Sequence, residues 1–169
     1  MDITIIKSEL TNQVTGIHLG NPQAKHRQIE FLNLACPYCK KWFEKAAPLL
    51  DQKTKEGDLF RVIKLLNKEK ESLQKGNLLH TFIPADPTAA SATIAKLFAM
   101  QKTWQQLTEP ELIAYAQEEL GLTPQENPEL SKIVTEAQQA QIQFVPTVLL
   151  DDQIFDETID LATLAEYLA

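Results

Sequence analysis

The chain has 169 residues, 44% hydrophobic and 23% charged, with 16 Lys plus Arg against 23 Asp plus Glu for a formal net charge of −7. That length suits one domain with an insertion and buries roughly two thirds of the unfolded surface without staples, which excludes disorder and a disulfide-scaffold miniprotein. The acidic balance repels phosphate backbones, and the basic residues are scattered among acidic ones except at Lys40-Lys41 and from Lys64 to Lys75, so nucleic acid is a poor partner.

No apolar run approaches the ~18 to 20 residues of a membrane span. The segment MDITIIKSEL has neither a basic start nor the apolar stretch of ~7 to 15 residues of a secretory signal. The expectation is a cytoplasmic chain, or an extracytoplasmic one if a signal peptide has been removed.

In chain order, Thr15 to Leu19 is a short apolar alternation stopped by Gly20-Asn21-Pro22, and Gln28 to Leu34 is an apolar run ending at Cys36. Both are predicted strands. After Pro37, apolar residues at Cys39, Trp42, Phe43, Ala46, Leu49 and Leu50 form a 3.6-residue stripe closed by Gly57. This predicts an amphipathic helix, with Pro48 expected to kink or break it near Glu44 to Ala47. Leu59 to Leu66 is the next predicted strand, so the first third reads as a βαβ unit.

From Asp86 to Gln141 the pattern is helical. Asp86-Pro87, the capping box from Thr108 to Glu111, and Asn127-Pro128 each open a helix, and Gly121 stops the second. Phe144 to Leu150 and Gln153 to Phe155, separated by Asp151-Asp152, read as a hairpin, and Ile159 to Leu168 as a closing helix. The fold class is α/β: a βαβ…ββα sheet domain (1–85 and 142–169) interrupted by a helical insertion (86–141) of roughly 55 residues.

The two cysteines, Cys36 and Cys39, lie at i and i+3 between an apolar strand and the start of an amphipathic helix. That context separates a redox pair from two inert core thiols. The free N–H groups and positive dipole end of a helix N-terminus stabilise an anion, so the Cys36 thiolate is favoured, while Cys39, one turn further in, is expected to be buried. Cys36 then attacks and Cys39 resolves. Pro37 suits the first helical turn, where no N–H is lost. A zinc site needs about four ligands and His18, His26 and His80 are too irregularly spaced to complete one, so neither metal nor cofactor is expected. The three histidines read as surface or loop residues. Trp42, Phe43, Phe98, Met100 and Trp104 read mainly as core, with Trp42 the best placed of them to line a peptide groove.

The stretch LGNPQAKHRQIEFLNLACPYCKKWFEK, the distal FVPTVLL and the helical segment between them resemble the DsbA-like branch of the thioredoxin superfamily over roughly residues 15 to 168. The resemblance implies a thioredoxin-like fold and a thiol-disulfide oxidoreductase acting on protein or small-molecule disulfides with a thiol electron donor or acceptor. It assigns Pro146 as a cis proline whose backbone faces the cysteines, and Val145 as a main-chain partner for an extended substrate beside Pro37 and Tyr38. An edge-strand proline is the alternative reading of Pro146.

The resemblance also implies that Glu30 and Lys64, acid and base in apolar strands, pair beneath Cys39 and shuttle its proton; the alternative is that either points to solvent. Tyr38 departs from the family's common histidine and matches the Pro-Tyr dipeptide of glutaredoxins. An uncharged phenol cannot stabilise the thiolate as an imidazolium can, which places the expected potential nearer about −200 to −230 mV than about −120 mV. Two other readings are a catalytically silent peptide-binding or holdase module, and a glutathione-dependent transferase or isomerase. The intact CPYC argues against both.

Overall fold

The computed structural model describes all residues from Met1 to Ala169. Five strands, β1 (Ile17–Leu19), β2 (His26–Leu32), β3 (Leu59–Leu65), β4 (Thr147–Leu150) and β5 (Gln153–Phe155), form one sheet in the order β1-β3-β2-β4-β5. Only β2 and β3 are parallel. These two are the longest strands and nearly every residue in them is buried, as a central parallel pair covered on both faces requires. The β4–β5 turn is made by Asp151-Asp152, with Asp151 in the left-handed region (φ 51), which Asp tolerates better than most side chains.

Helix α1 (Pro37–Glu56) joins the parallel strands. It buries Cys39, Trp42, Phe43, Ala46 and Leu50, the stripe the spacing predicts, and ends on Gly57 (φ 83). It runs unbroken through Pro48. Pro48 and Glu44 both lie on the exposed face, so the carbonyl that loses its partner there can be hydrated.

Between β3 and β4 lie α2 (Gln74–His80), α3 (Pro87–Ala99), α4 (Gln101–Trp104), α5 (Glu109–Ala114), a π-helical turn (Tyr115–Glu119) and α6 (Glu129–Gln139). Asp86 caps α3 and the Thr108–Glu111 capping box opens α5, as read from the sequence. The short helix α2 has no counterpart among the expected elements. The closing helix is α7 (Leu161–Tyr167). No helix is long and apolar enough to cross a membrane.

The sheet separates two cores. On one face α1 packs with α3 and α4 through Trp42, Phe43, Ile94, Phe98 and Trp104; on the other, Ile133, Ala137 and Ala140 of α6 and its C-terminal end meet Phe31, Phe60 and Val62.

Each face carries a buried ion pair, and this corrects the expected pairing of Glu30 with Lys64. The parallel register sets Glu30 opposite Ile63 and Phe31 opposite Lys64, so side-chain alternation sends Glu30 and Lys64 to opposite faces. Glu30 instead takes Arg61, and also accepts from Trp42 Nε1 (2.8 Å) and Gln28 Nε2 (2.8 Å). Lys64 donates to Glu136 (2.8 Å) and Thr15 (2.8 Å) on the α6 face. Trp42, fully buried with its N–H committed to Glu30, lines no groove.

The histidines also differ from expectation. His80 is fully buried, and His26 is buried on β2 with Nδ1 2.7 Å from Asp151; only His18, its ring tilted against that of Phe60, keeps partial exposure.

Arg61 ties three elements together. It bonds Glu30 of β2, lies over the Phe43 ring of α1 at 5.2 Å, and reaches Asp51 at 3.6 Å. Removing it leaves a buried carboxylate without its cation. Arg61→Ala is expected to cost about 3–5 kcal/mol, read as a lower midpoint in denaturant unfolding.

Candidate active site

The chain leaves β2 at Leu32, crosses a buried turn from Asn33 to Cys36, and enters α1 at Pro37. Cys36 takes the N-cap position, where a Ser or Asp oxygen usually sits, and its Sγ accepts the Cys39 N–H at 3.4 Å. Both cysteines are free thiols, Cys36 5% exposed and Cys39 0%.

Their environments push the two sulfurs apart in acidity. The Cys39 thiol, hydrogen-bonded to Cys36, acts together with the N–H groups of Cys39 and Tyr38 to bring the Cys36 thiol down to about 7, against burial and the Glu157 carboxylate. Burial, reinforced by the neighbouring Cys36, pushes the Cys39 thiol well above its ordinary value. The Asn33 N–H, 3.4 Å from Cys39 Sγ, opposes that only in part. Near neutral pH the Cys36 sulfur, at the edge of the groove, is the one that ionises, and the buried Cys39 sulfur stays protonated.

The turn that presents Cys36 is buried, so its peptide groups need internal partners. Side chains supply them. Asn33 Oδ1 accepts from Ala35 N–H (2.9 Å), and Asn33 Nδ2 donates to the Leu66 carbonyl (3.0 Å) and to Asn77 (2.9 Å). His80 Nε2 accepts from Leu34 N–H (3.3 Å), which places the ring proton on Nδ1, donated to Asn67 Oδ1 (2.6 Å). Burial pushes His80 down to about 3, so it keeps this neutral form at any ordinary pH. Gln101 Nε2 donates to the carbonyls of Leu34 (2.7 Å) and Cys36 (3.1 Å), and Gln105 Nε2 to that of Ala35 (2.7 Å). These positioning residues were not singled out from the sequence. The signal was a polar side chain inside an apolar string, as in FLNLAC and NLLHTF.

Across from Cys36 stands the loop before β4. The Val145 carbonyl lies 3.5 Å from Cys36 Sγ, and the Val145–Pro146 peptide bond is cis. Val145 is half-buried and Pro146 buried, whereas Pro37 and Tyr38 project outward, Tyr38 at 59% exposure beside Phe144 at 52%. Cys36, Tyr38, Phe144 and Val145 share a groove of about 580 Å³. The structure thus brings Cys36, Cys39, Pro37, Tyr38, Val145 and Pro146 together. Lys64 stands apart on the far face of the sheet, and Glu30 is held by Arg61 and Trp42.

A CXXC pair at the start of the helix that follows a central strand, facing a cis X-Pro bond, is the arrangement of thioredoxin-fold proteins. The chain belongs to the thioredoxin family, whose model matches residues 12–169. It is similar to a conserved protein of unknown function from Enterococcus faecalis V583, at 44% identity and a TM-score of 0.96, with 99% of this chain and 97% of that one covered. The fold is shared with the catalytic domain of ScsC from Proteus mirabilis (23% identity, TM-score 0.66, 94% and 90% covered). It is shared also with a periplasmic thioredoxin-like protein from Salmonella enterica serovar Typhimurium (20% identity, TM-score 0.63, 95% and 92% covered). No curated protein matches the chain.

Two expectations follow. Thiolate absorbance at 240 nm should rise in a single step near pH 7 for the reduced protein, with Cys36→Ser removing that step and no second one appearing below pH 9. The second concerns Gly76 of α2, where an added Cβ would stand 2.0 Å from Asn33 Oδ1 and 2.6 Å from Ala35 N. Gly76→Ala should therefore push α2 off the turn and lower stability by about 1–3 kcal/mol in thermal unfolding.

Proposed function

We propose that the protein is a thiol-disulfide oxidoreductase of the DsbA-like kind, with Cys36 as the attacking thiol and Cys39 as the resolving one. The observation that carries this reading is the division between the two sulfurs: one at the helix N-terminus with its pKa near 7, the other fully buried and protonated. In the reducing direction the Cys36 thiolate attacks one sulfur of a substrate disulfide and forms a mixed disulfide, releasing the first substrate thiolate. Cys39 then gives its proton to a departing substrate thiolate and attacks Cys36 Sγ. The second substrate thiol leaves and a Cys36–Cys39 disulfide remains. The substrate gains two electrons and the protein loses two; the oxidising direction is the reverse.

Glu30 has no place in that proton transfer, since its carboxylate is taken by Arg61, Trp42 and Gln28, and Lys64 lies on the far face. Pro37 and Tyr38 on one side and Val145 on the other, set by its cis bond to the buried Pro146, form the walls against which an extended substrate segment lies, with the Val145 main chain as its pairing partner. Substrates are protein or small-molecule disulfides, and a separate thiol pair exchanges electrons with Cys36–Cys39. The compartment decides direction: a pair poised near glutaredoxins reduces in a cytosol and oxidises outside it.

A silent peptide-binding module has no use for a thiol tuned to about 7, and its substrates leave no covalent adduct. Insulin reduction with a dithiol donor separates the readings. Cys36→Ser should bring turnover to the uncatalysed background, and Cys39→Ser should accumulate mixed disulfides visible on a non-reducing gel. An active Cys36→Ser protein, together with a Cys39→Ser protein that never forms adducts, would overturn the assignment.

A further inference from the structure

A chain with net charge −7 carries a basic surface at its reactive cysteine. The groove that opens at Cys36 is lined by three lysines, Lys68, Lys70 and Lys102, and by no carboxylate; its other polar lining is uncharged, chiefly Gln101, Gln105, Gln106 and Gln143. None of the three lysines is in an ion pair. Lys68 donates to the Gln143 carbonyl at 2.8 Å, which leaves its charge uncompensated. Lys70 and Lys102 are exposed.

The sequence builds this asymmetry by alternation. Residues 68–72 read Lys-Glu-Lys-Glu-Ser, and Lys68, Lys70 and Ser72 line the groove whereas Glu69 and Glu71 do not; Glu71 belongs instead to a separate hollow beside Gln74 and Lys75. Lys102 comes from α4, on another wall. Positive charge thus reaches the groove from two elements, while the neighbouring acids Glu69 and Glu71 are not part of its lining. The one carboxylate that acts on Cys36, Glu157, does not line the groove. The dominant influences on the Cys36 thiol are Cys39, the helix N–H groups and burial. The lysines are therefore placed to act on what enters the groove.

We infer that the groove selects acidic segments: an extended peptide with Asp or Glu flanking its cysteine, its carboxylates on Lys68, Lys70 and Lys102 and its apolar residues on Tyr38 and Phe144. This rests on the oxidoreductase reading for its chemistry but not for its binding. The net negative charge of the chain contributes as well, because it disfavours an acidic partner away from the unpaired lysines of the groove and so helps to orient the encounter.

Labelled peptides with serine in place of cysteine, identical except for acidic, amide or basic flanks, test this by fluorescence anisotropy on the full chain. At ~20 mM salt the acidic peptide should bind at least about tenfold more tightly than the basic one, and the gap should narrow at ~300 mM. Lys68→Gln/Lys70→Gln/Lys102→Gln should bring the two within about twofold, while Lys55→Gln/Lys132→Gln, at the far end of α1 and on the α6 face, should leave the gap intact. Equal binding of the acidic and basic peptides, or a preference that survives in the triple variant, overturns the inference. Exchange with the small uncharged 2-hydroxyethyl disulfide is followed in parallel. Its absence from the wild-type chain overturns the oxidoreductase reading alone, and its persistence in the triple variant shows that Cys36 and its helix are intact.

Discussion

A turn buried between a central strand and a helix has no water to satisfy its peptide groups, and residues 33–36 form such a turn here. Each N–H and carbonyl that the turn cannot pair with itself must be met by a side chain from elsewhere, or the chain loses on the order of 1–3 kcal/mol per group. Asn33 meets part of this from within the turn. His80, Gln101 and Gln105 meet the rest; the first two belong to helices inserted between β3 and β4, and Gln105 is the residue that ends α4. The inserted helices are thus the frame that fixes the direction in which Cys36 Sγ points. Gly76 marks how close that frame comes, since α2 lies against the turn with no room for a side chain.

The two buried ion pairs divide the sheet in a similar way. Glu30–Arg61 docks α1 on one face through Trp42, Phe43 and Asp51. Lys64–Glu136 docks α6 on the other and also gathers the N-terminal segment, since Glu136 accepts from Asn12 N–H at 2.8 Å and from Thr15 at 3.2 Å. Buried pairs of this kind contribute little net stability over apolar groups of the same size. What they add is a strong penalty for any register that separates them, and the parallel register of β2 and β3 places both.

Features set by neighbours in sequence were legible without a structure. The apolar stripe of α1, its glycine stop, the caps at Asp86 and Thr108, and the Asp151-Asp152 turn all depend on residues within one or two helical turns of one another. So did the position of Cys36 at a helix start with Cys39 one turn on, the two features that lower its pKa. The partner of Glu30 was not legible, because it depends on which residue of β3 stands opposite. An offset of one residue moves a side chain to the other face. Lys64 and Arg61 are equally polar, equally embedded in LFRVIKLL, and differ only in that parity. The apolar string around His80 does not by itself mark it as other than a surface or loop residue; only the turn it supports explains its burial. Helix α2 was hidden by the charged run that precedes it, although Leu73, Gly76, Leu79 and His80 have helical spacing.

The separation of the two sulfurs' acidities couples folding to oxidation state. In the reduced chain, Cys36 has a folded pKa of about 7, below the ~8.5 of an unfolded thiol. Its contribution to stability is therefore fully present above the unfolded value and is lost as pH falls through about 7. Cys39 has the opposite sign: its raised folded pKa leaves it neutral where the unfolded chain ionises, so it withdraws stability once pH passes about 8.5. The disulfide form has neither ionisation and gains nothing from either. From these two groups alone, the advantage of the reduced fold over the oxidised one grows as pH rises through about 7 and is greatest near about 8.5. Over that range the ionisation of Cys36 favours the reduced pair over the disulfide, relative to the same two cysteines in the unfolded chain.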